Sequence, residues 1–292
     1  EFKLGQMLGN NKLGKVTFNL DVNSSYYKNQ YPSVVLKGLI ASIDYSDYTY
    51  ENISLDGEYK QGGFTGKVAL DDTNGSVLLN GTINTASQVP TFNFQASIDK
   101  VRPHALHLTP KYEDTEISVR VKADFTGGSI DEMNGEINID SLLFMGPETH
   151  YFLDNLKIAA IRERENQKRL TIQSNFLQGS IEGDYSYRTL PASVLNIMQR
   201  YIPALILSDK KIMETENNFH FDMHIYNTEL LSTVFQIPVK VYTHSTIKGY
   251  FNDKAQRLRV EGYFPRLRYE NKFIESGMFL CENPGDQFHT RC

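Results

Sequence analysis

The chain has 292 residues, is 40% hydrophobic, and carries 30 Lys and Arg against 35 Asp and Glu for a formal charge of −5. With no long basic run it lacks a sequence-independent grip on nucleic acid. With no run of about 18 apolar residues it lacks a transmembrane helix. The chain begins at Glu1 without a basic segment followed by an apolar stretch, so the expectation is a soluble piece of a longer protein.

The first clear pattern lies between Ile53 and Ile83. Ile53, Leu55, Gly57 and Tyr59 alternate with polar residues, and so do Phe64, Gly66, Val68 and Leu70, then Val77, Leu79, Gly81 and Ile83. A period of two marks half-buried strands, and the intervening Lys60-Gln61-Gly62-Gly63 and Asp71 to Ser76 carry turn residues. The simplest register pairs Tyr59 with Phe64 and Leu70 with Val77. It aligns Gly57, Gly66 and Gly81 in one row across a three-stranded meander. A glycine row favours sharp bending or the close approach of another backbone. The expected apolar lining is Ile53, Leu55, Tyr59, Phe64, Val68, Leu70, Val77, Leu79 and Ile83, with the three glycines as the line along which the sheet bends.

The alternation continues through Phe92–Ile98, Ile117–Phe125 and Ile137–Ile139. Leu170 to Phe176 is expected to pair with Ile181 to Tyr185 across a turn at Gln178-Gly179, setting Ser174 against Gly183. The β rhythm then breaks: TLPASVLNIMQRYIPALIL, from Thr189 to Leu207, predicts a helix capped at Thr189 with Pro191 in its first turn. Val194, Ile197, Met198, Tyr201 and Leu205 form its apolar stripe, expected to cap the sheet, and Asn196, Gln199 and Arg200 make it a poor membrane span. Further on, Ile247, Gly249 and Phe251 precede Leu258, Val260, Gly262 and Phe264, and one of two registers sets Gly249 against Gly262. The fold class read from these elements is mainly β: an elongated, curled antiparallel sheet of successive meander strands with one short amphipathic helix. Its expected organisation is a groove segment over residues 1–188, helix and linker over 189–213, and continuing sheet over 214–292.

Chemistry-bearing motifs are scarce. His220, Asp222 and His224 share one strand face, but Phe219, Phe221, Met223 and Ile225 form the apolar face opposite, so the trio reads as a solvent face and no metal is assigned. His104 and His107 flank a proline loop without carboxylates close by in sequence. No phosphate loop, GxSxG elbow or HExxH is present, and no separated carboxylate pair stands out from ordinary turn acids. Neither a catalytic residue nor a cofactor is expected. Cys281 and Cys292 suit neither a disulfide framework nor a zinc site. They either pair with each other in an oxidising compartment or stay apart, Cys281 ending an apolar run. Sequons at Asn23, Asn52, Asn74 and Asn80 matter only in a eukaryotic secretory setting.

Three segments, GEYKQGGFTGKVALDDTNGSVLLNGTI, LTIQSNFLQGSIEGDYSYRTLPASVLNIMQRYIPAL and FNDKAQRLRVEGYFPRLRYENKFIESG, resemble the interior of TamB-like translocation and assembly module proteins of Bacteroidetes, in the AsmA-like superfamily. The resemblance runs the length of the chain and rests on strand, turn and helix patterns. It implies a non-enzymatic cell-envelope protein, anchored in the inner membrane, whose β-taco groove bridges the periplasm. The implied role is outer-membrane biogenesis or lipid transport, with phospholipid acyl chains or unfolded outer-membrane proteins as cargo and outer-membrane assembly machinery as partner. The competing class is an extracellular β-rich adhesin that binds glycan or protein. It predicts a filled core and exposed aromatic platforms, and the absence of Trp weighs against it. Sheet edges that continue into neighbouring segments would also let an isolated fragment self-associate.

Overall fold

A computed structural model describes residues 2–3, 9, 12–26, 33–147, 150–164, 167–190, 192–193, 196, 215–229, 232, 239–269, 272–283 and 289–291. The protein is mainly β and antiparallel, as the alternation predicts. It divides into two compact units: Glu1–Gly128 with Glu136–Leu156, and Ser129–Gly135 with Lys157–Cys292.

The first unit runs through β1 (Phe2–Lys3), β2 (Leu13–Ser25), β3 (Ser33–Tyr45), β4 (Tyr48–Lys60), β5 (Gly63–Asp72), β6 (Gly75–Asn84), β7 (Thr91–Val101), β8 (Glu116–Thr126), β9 (Asn134–Met145) and β10 (His150–Leu153). Each strand from β1 to β7 pairs antiparallel with the next, and β10 pairs with β9, whose first two residues belong to the second unit. The hairpins are tight because the turns have the chemistry they need. Ser46-Asp47 and Gln61-Gly62 hold positive φ at both central positions, the requirement of turns whose twist matches that of the strands. Observed pairs include Tyr59 with Phe64, Leu70 with Val77, and Gly57 with Gly66 with Gly81, which is the register read from the sequence.

The second unit holds a 3-10 turn at Ile130–Glu132 and the strands β11 (Leu156–Arg164), β12 (Gln167–Ser174), β13 (Leu177–Asp184), β14 (Asn218–Ile225), β15 (Val239–Val241), β16 (Ser245–Asn252), β17 (Arg257–Tyr269), β18 (Lys272–Glu282) and β19 (His289–Arg291). Neighbours pair in the order β12, β13, β14, β16, β17, β18, β19, while β15 lies against the far end of β17. Among the described residues the antiparallel meander does not close into a barrel.

One register differs from expectation, and of the two weighed for a later hairpin the one that sets Gly249 against Gly262 is not adopted. The β12–β13 turn falls at Asn175-Phe176 rather than Gln178-Gly179, and Gly183 opposes Lys168, not Ser174. The reason is the Ser174 hydroxyl, which accepts the Leu177 N–H at 2.9 Å and donates to the Leu177 carbonyl at 2.9 Å, stitching the loop shut early. In the later hairpin Gly249 opposes Val260, and Gly262 opposes Ile247. Asn252 closes that turn by accepting the Ala255 N–H, which makes it four residues long and sets this register.

Of the helix expected over 189–207, the described residues show the start: the Leu190 N–H reaches the Ser186 carbonyl at 3.0 Å and Ser193 that of Thr189 at 2.9 Å. A turn over Ser186 to Thr189 leads in, and the helical residues begin at Leu190, directly after the expected cap Thr189. The apolar stripe Val194, Ile197, Met198, Tyr201 and Leu205 lies outside the described residues, as does Cys292. Among the described residues no helix is long and apolar enough to cross a membrane.

Candidate functional site: an apolar sheet face in the first unit

Alternation along β4, β5 and β6 sends Ile53, Leu55, Tyr59, Phe64, Val68, Leu70, Val77, Leu79 and Ile83 to one side. They sit there in three cross-strand rows. The structure extends those rows in both directions. Leu55, Val68 and Leu79 continue into Gly38 on β3 and into Ala96 and Val121 on β7 and β8. Ile53, Leu70 and Val77 continue into Ile40, Ile98 and Val119, and Tyr59, Phe64 and Ile83 into Val34, Phe92 and Phe125. Phe92 and Phe125 stack at 4.7 Å between ring centres. Sequence reading named only the β4–β6 part. The signal for β3 was present in VVLKGLI, and the strands β7 and β8 were recognised without their lining residues.

The glycine row lies between these rows and ends against Leu36 on β3 and Phe94 on β7. A Cβ on Gly66 would lie 2.4 Å from the Gly57 Cα and from the Asp56 carbonyl oxygen. One on Gly81 would lie 2.2 Å from the Asn93 carbonyl oxygen. Both are impossible contacts, so strand-to-strand closeness requires glycine here. The vacated space is not empty: the Phe64 ring reaches across Gly57, whose Cβ would meet the ring at 2.6 Å. Aromatic cover over a strand glycine restores apolar contact that the missing side chain forfeits.

None of the nine predicted lining residues is fully buried, and Tyr59 is 48% exposed. One end of the face is covered. Asn52 stands at φ 53°, and the half-buried positions of β4 change there from even to odd numbers, which leaves Tyr48 and Tyr50 half-buried as Ile53 is. The Tyr50 hydroxyl donates to the Leu106 carbonyl at 2.9 Å, and Leu106, on the loop between β7 and β8, is only 1% exposed. His107 on that loop sets its ring edge-on to Tyr48. The buried Asp72 carboxylate accepts the Tyr48 hydroxyl at 2.6 Å and the Asn74 N–H at 2.9 Å, fixing the adjoining turn. Burial, followed by the Asp72 hydrogen bond, raises the Tyr48 phenol above its ordinary value. Leu106 was not legible in sequence, because a single Leu in a loop has no period.

The other predicted polar positions look outward. His220 and Asp222 are exposed on β14, His220 facing Glu182 at 3.4 Å. Among the described residues no group of three or more His, Cys, Asp or Glu converges on a metal position. No family model, curated protein or solved structure matches the chain.

Proposed function

We propose that the protein is a non-enzymatic cell-envelope component of the TamB type, whose apolar sheet face shields acyl chains or unfolded outer-membrane strands from water. One observation carries this reading: six successive strands, β3 to β8, present a continuous aliphatic and aromatic face that stays half exposed and, among the described residues, is covered at one end. Contiguous exposed apolar surface is uncommon on a monomer unless something binds there. A chain laid along it gains about 0.8 kcal/mol per buried CH₂, so no charged anchor is required. The periplasmic setting, transport between membranes and outer-membrane assembly partners belong to this proposal through the family resemblance alone.

The test is native mass spectrometry with lipid extraction on protein purified from a bacterial envelope, beside the variant Leu55→Asp, Val68→Asp, Leu79→Asp. These three side chains form one cross-strand row on the face. Phospholipid that co-purifies with the parent and is lost from a folded variant supports the proposal. Absence of lipid and of bound polypeptide from a folded parent overturns it and favours a spacing or adhesive role.

A further inference from the structure

In the second unit one hairpin end differs in chemistry from the sheet behind it. There β17 and β18 set Arg266 opposite Glu275, Leu267 opposite Ile274, Arg268 opposite Phe273 and Tyr269 opposite Lys272. β15 lies along the same end, with Lys240 opposite Arg268 and Val239 opposite Tyr269. Large apolar side chains stand in water here: Phe273 is 52% exposed and Ile274 48%, and Tyr269 beside them is exposed too. Successive strand residues point to opposite faces, so Phe273 projects from one side of the ladder and Ile274 from the other. The exposed apolar surface is therefore the end of the hairpin and not one of its faces.

Cations surround it. Lys240, Arg266, Arg268 and Lys272 stand on these strand ends against the carboxylate of Glu275, and Glu270, between the strands, is the one further acid of that stretch. Elsewhere in the unit cations are matched: Arg169 with Glu163 and Glu182, Lys248 with Glu261, and Arg259 with Glu261 and Glu282. Among the described residues Lys240, Arg266 and Lys272 make no such ion pair. Lys240 and Arg268 are direct cross-strand neighbours, a like-charge pairing that is unfavourable in a sheet and that anionic groups relieve. Arg266 and Arg268 also lie over the Phe273 ring, their guanidinium carbons 4.9 and 5.9 Å from its centre, which holds positive charge at the level of the ring.

We propose that this hairpin end docks on the surface of an anionic lipid bilayer. Phe273 and Ile274 enter the headgroup layer, Tyr269 sits at the boundary, and Lys240, Arg266, Arg268 and Lys272 face the lipid phosphates. The local excess of cations, on a chain of net charge −5, selects a negatively charged partner. The exposed apolar side chains among them select a partner with an apolar interior, and a bilayer supplies both. A nucleic acid meets only the first requirement. The arginines close the ring face they cover to a stacked base, and Ile274 offers no stacking surface. The docking surface is separate from the first unit's apolar face and does not depend on what that face holds.

The test is flotation of the whole chain with vesicles of phosphatidylcholine plus phosphatidylglycerol, and with vesicles of phosphatidylcholine alone. The parent should bind the anionic vesicles at low salt and bind neutral ones more than about tenfold more weakly, since each Lys or Arg near the surface contributes about fivefold. Arg266→Gln and Lys272→Gln should each weaken binding about fivefold, and Phe273→Ser with Ile274→Ser about tenfold. Lys248→Gln, away from the hairpin end, should leave it unchanged. In the parent alone, anionic vesicles should slow amide exchange over residues 266–275 more than elsewhere in the second unit, a readout independent of any variant's folding. The variant Leu55→Asp, Val68→Asp, Leu79→Asp should keep vesicle binding, and the Phe273→Ser, Ile274→Ser variant should keep any co-purifying lipid, so the two proposals fail separately. No binding by the parent, equal binding to neutral vesicles, or binding to heparin without binding to vesicles overturns the proposal, the last in favour of an acidic macromolecule.

Discussion

The two units use the same alternating strands and cover their apolar side differently. In the first, Gly57, Gly66 and Gly81 align in one row, the lining stays half exposed, and the covered end is closed chiefly by Leu106 with the Tyr48–Asp72 pair beside it. In the second the glycines are scattered across registers, and four of them have an aromatic or Met neighbour against them: Phe219 at Gly183, Met223 at Gly179, Phe221 at Gly249 and Phe279 at Gly262. One end of that unit is sealed by a polar network instead. Asp253 accepts the Ser193 hydroxyl and the Asn217 N–H, both at 2.8 Å, and Asn217 Oδ1 accepts the Ser186 N–H at 2.8 Å. Close by, Asp131 takes the Ser186 hydroxyl at 2.9 Å and the Tyr187 N–H at 2.7 Å, and Lys168 lies 3.5 Å away. Hydrogen bonds have fixed lengths and directions, so such a network specifies one arrangement, whereas an apolar row tolerates sliding contents. The contrast separates a face suited to holding something from an end suited to holding itself.

The largest expected effect sharpens this contrast from the second unit. Asp253→Ala strands two buried donors at about 1–3 kcal/mol each and should cost about 4 kcal/mol. Hydrogen exchange should show protection lost first around β13, β14 and β16, with β4 to β6 retained. Equal loss in both units would break the comparison. Gly66→Val is the converse: forcing a side chain against the neighbouring backbone should cost about 2–3 kcal/mol and open β4 to β6 first. A chemical-denaturation midpoint unchanged from the parent would mean that the row is a matter of composition alone.

A smaller effect concerns acid. Burial pushes the Asp131 carboxyl up, but the Ser186 hydroxyl, the Tyr187 N–H and Lys168 together bring it below the ordinary carboxylate value. A depressed folded-state pKa adds stability above the unfolded pKa that is lost as pH falls through the folded one. Stability measured from pH 6 downward should therefore fall more steeply in the parent than in Asp131→Asn, and the difference should localise to the second unit. The smallest effect is expected on the outer face of the first unit. Lys37 and Asp56 pair at 3.3 Å but are 69% and 60% exposed, so Lys37→Ala should change stability by less than about 0.5 kcal/mol. A larger loss would mean that the outer face also contributes to holding the strands together.

How much of this was legible before the structure depends on sequence distance. The β4–β6 register could be read because tight turns leave little freedom, and a shift of one residue would flip every apolar side chain to water. The same reasoning misplaced the β12–β13 turn, since one Ser174 hydroxyl outweighed the glycine at 179 as a turn signal. It also missed that Lys168, mid-pattern in a strand, turns inward to donate to the Tyr185 carbonyl at 2.7 Å. Composition and period alone determined a mainly β chain with one face apolar. The tertiary structure alone decided that Leu106 covers one end of that face, that Asp131 meets Ser186 and Tyr187 more than 50 residues away, and that His244 faces His224. Each of those contacts closes a loop that no local period encodes. Its free energy comes from groups that are neighbours only after the strands have paired.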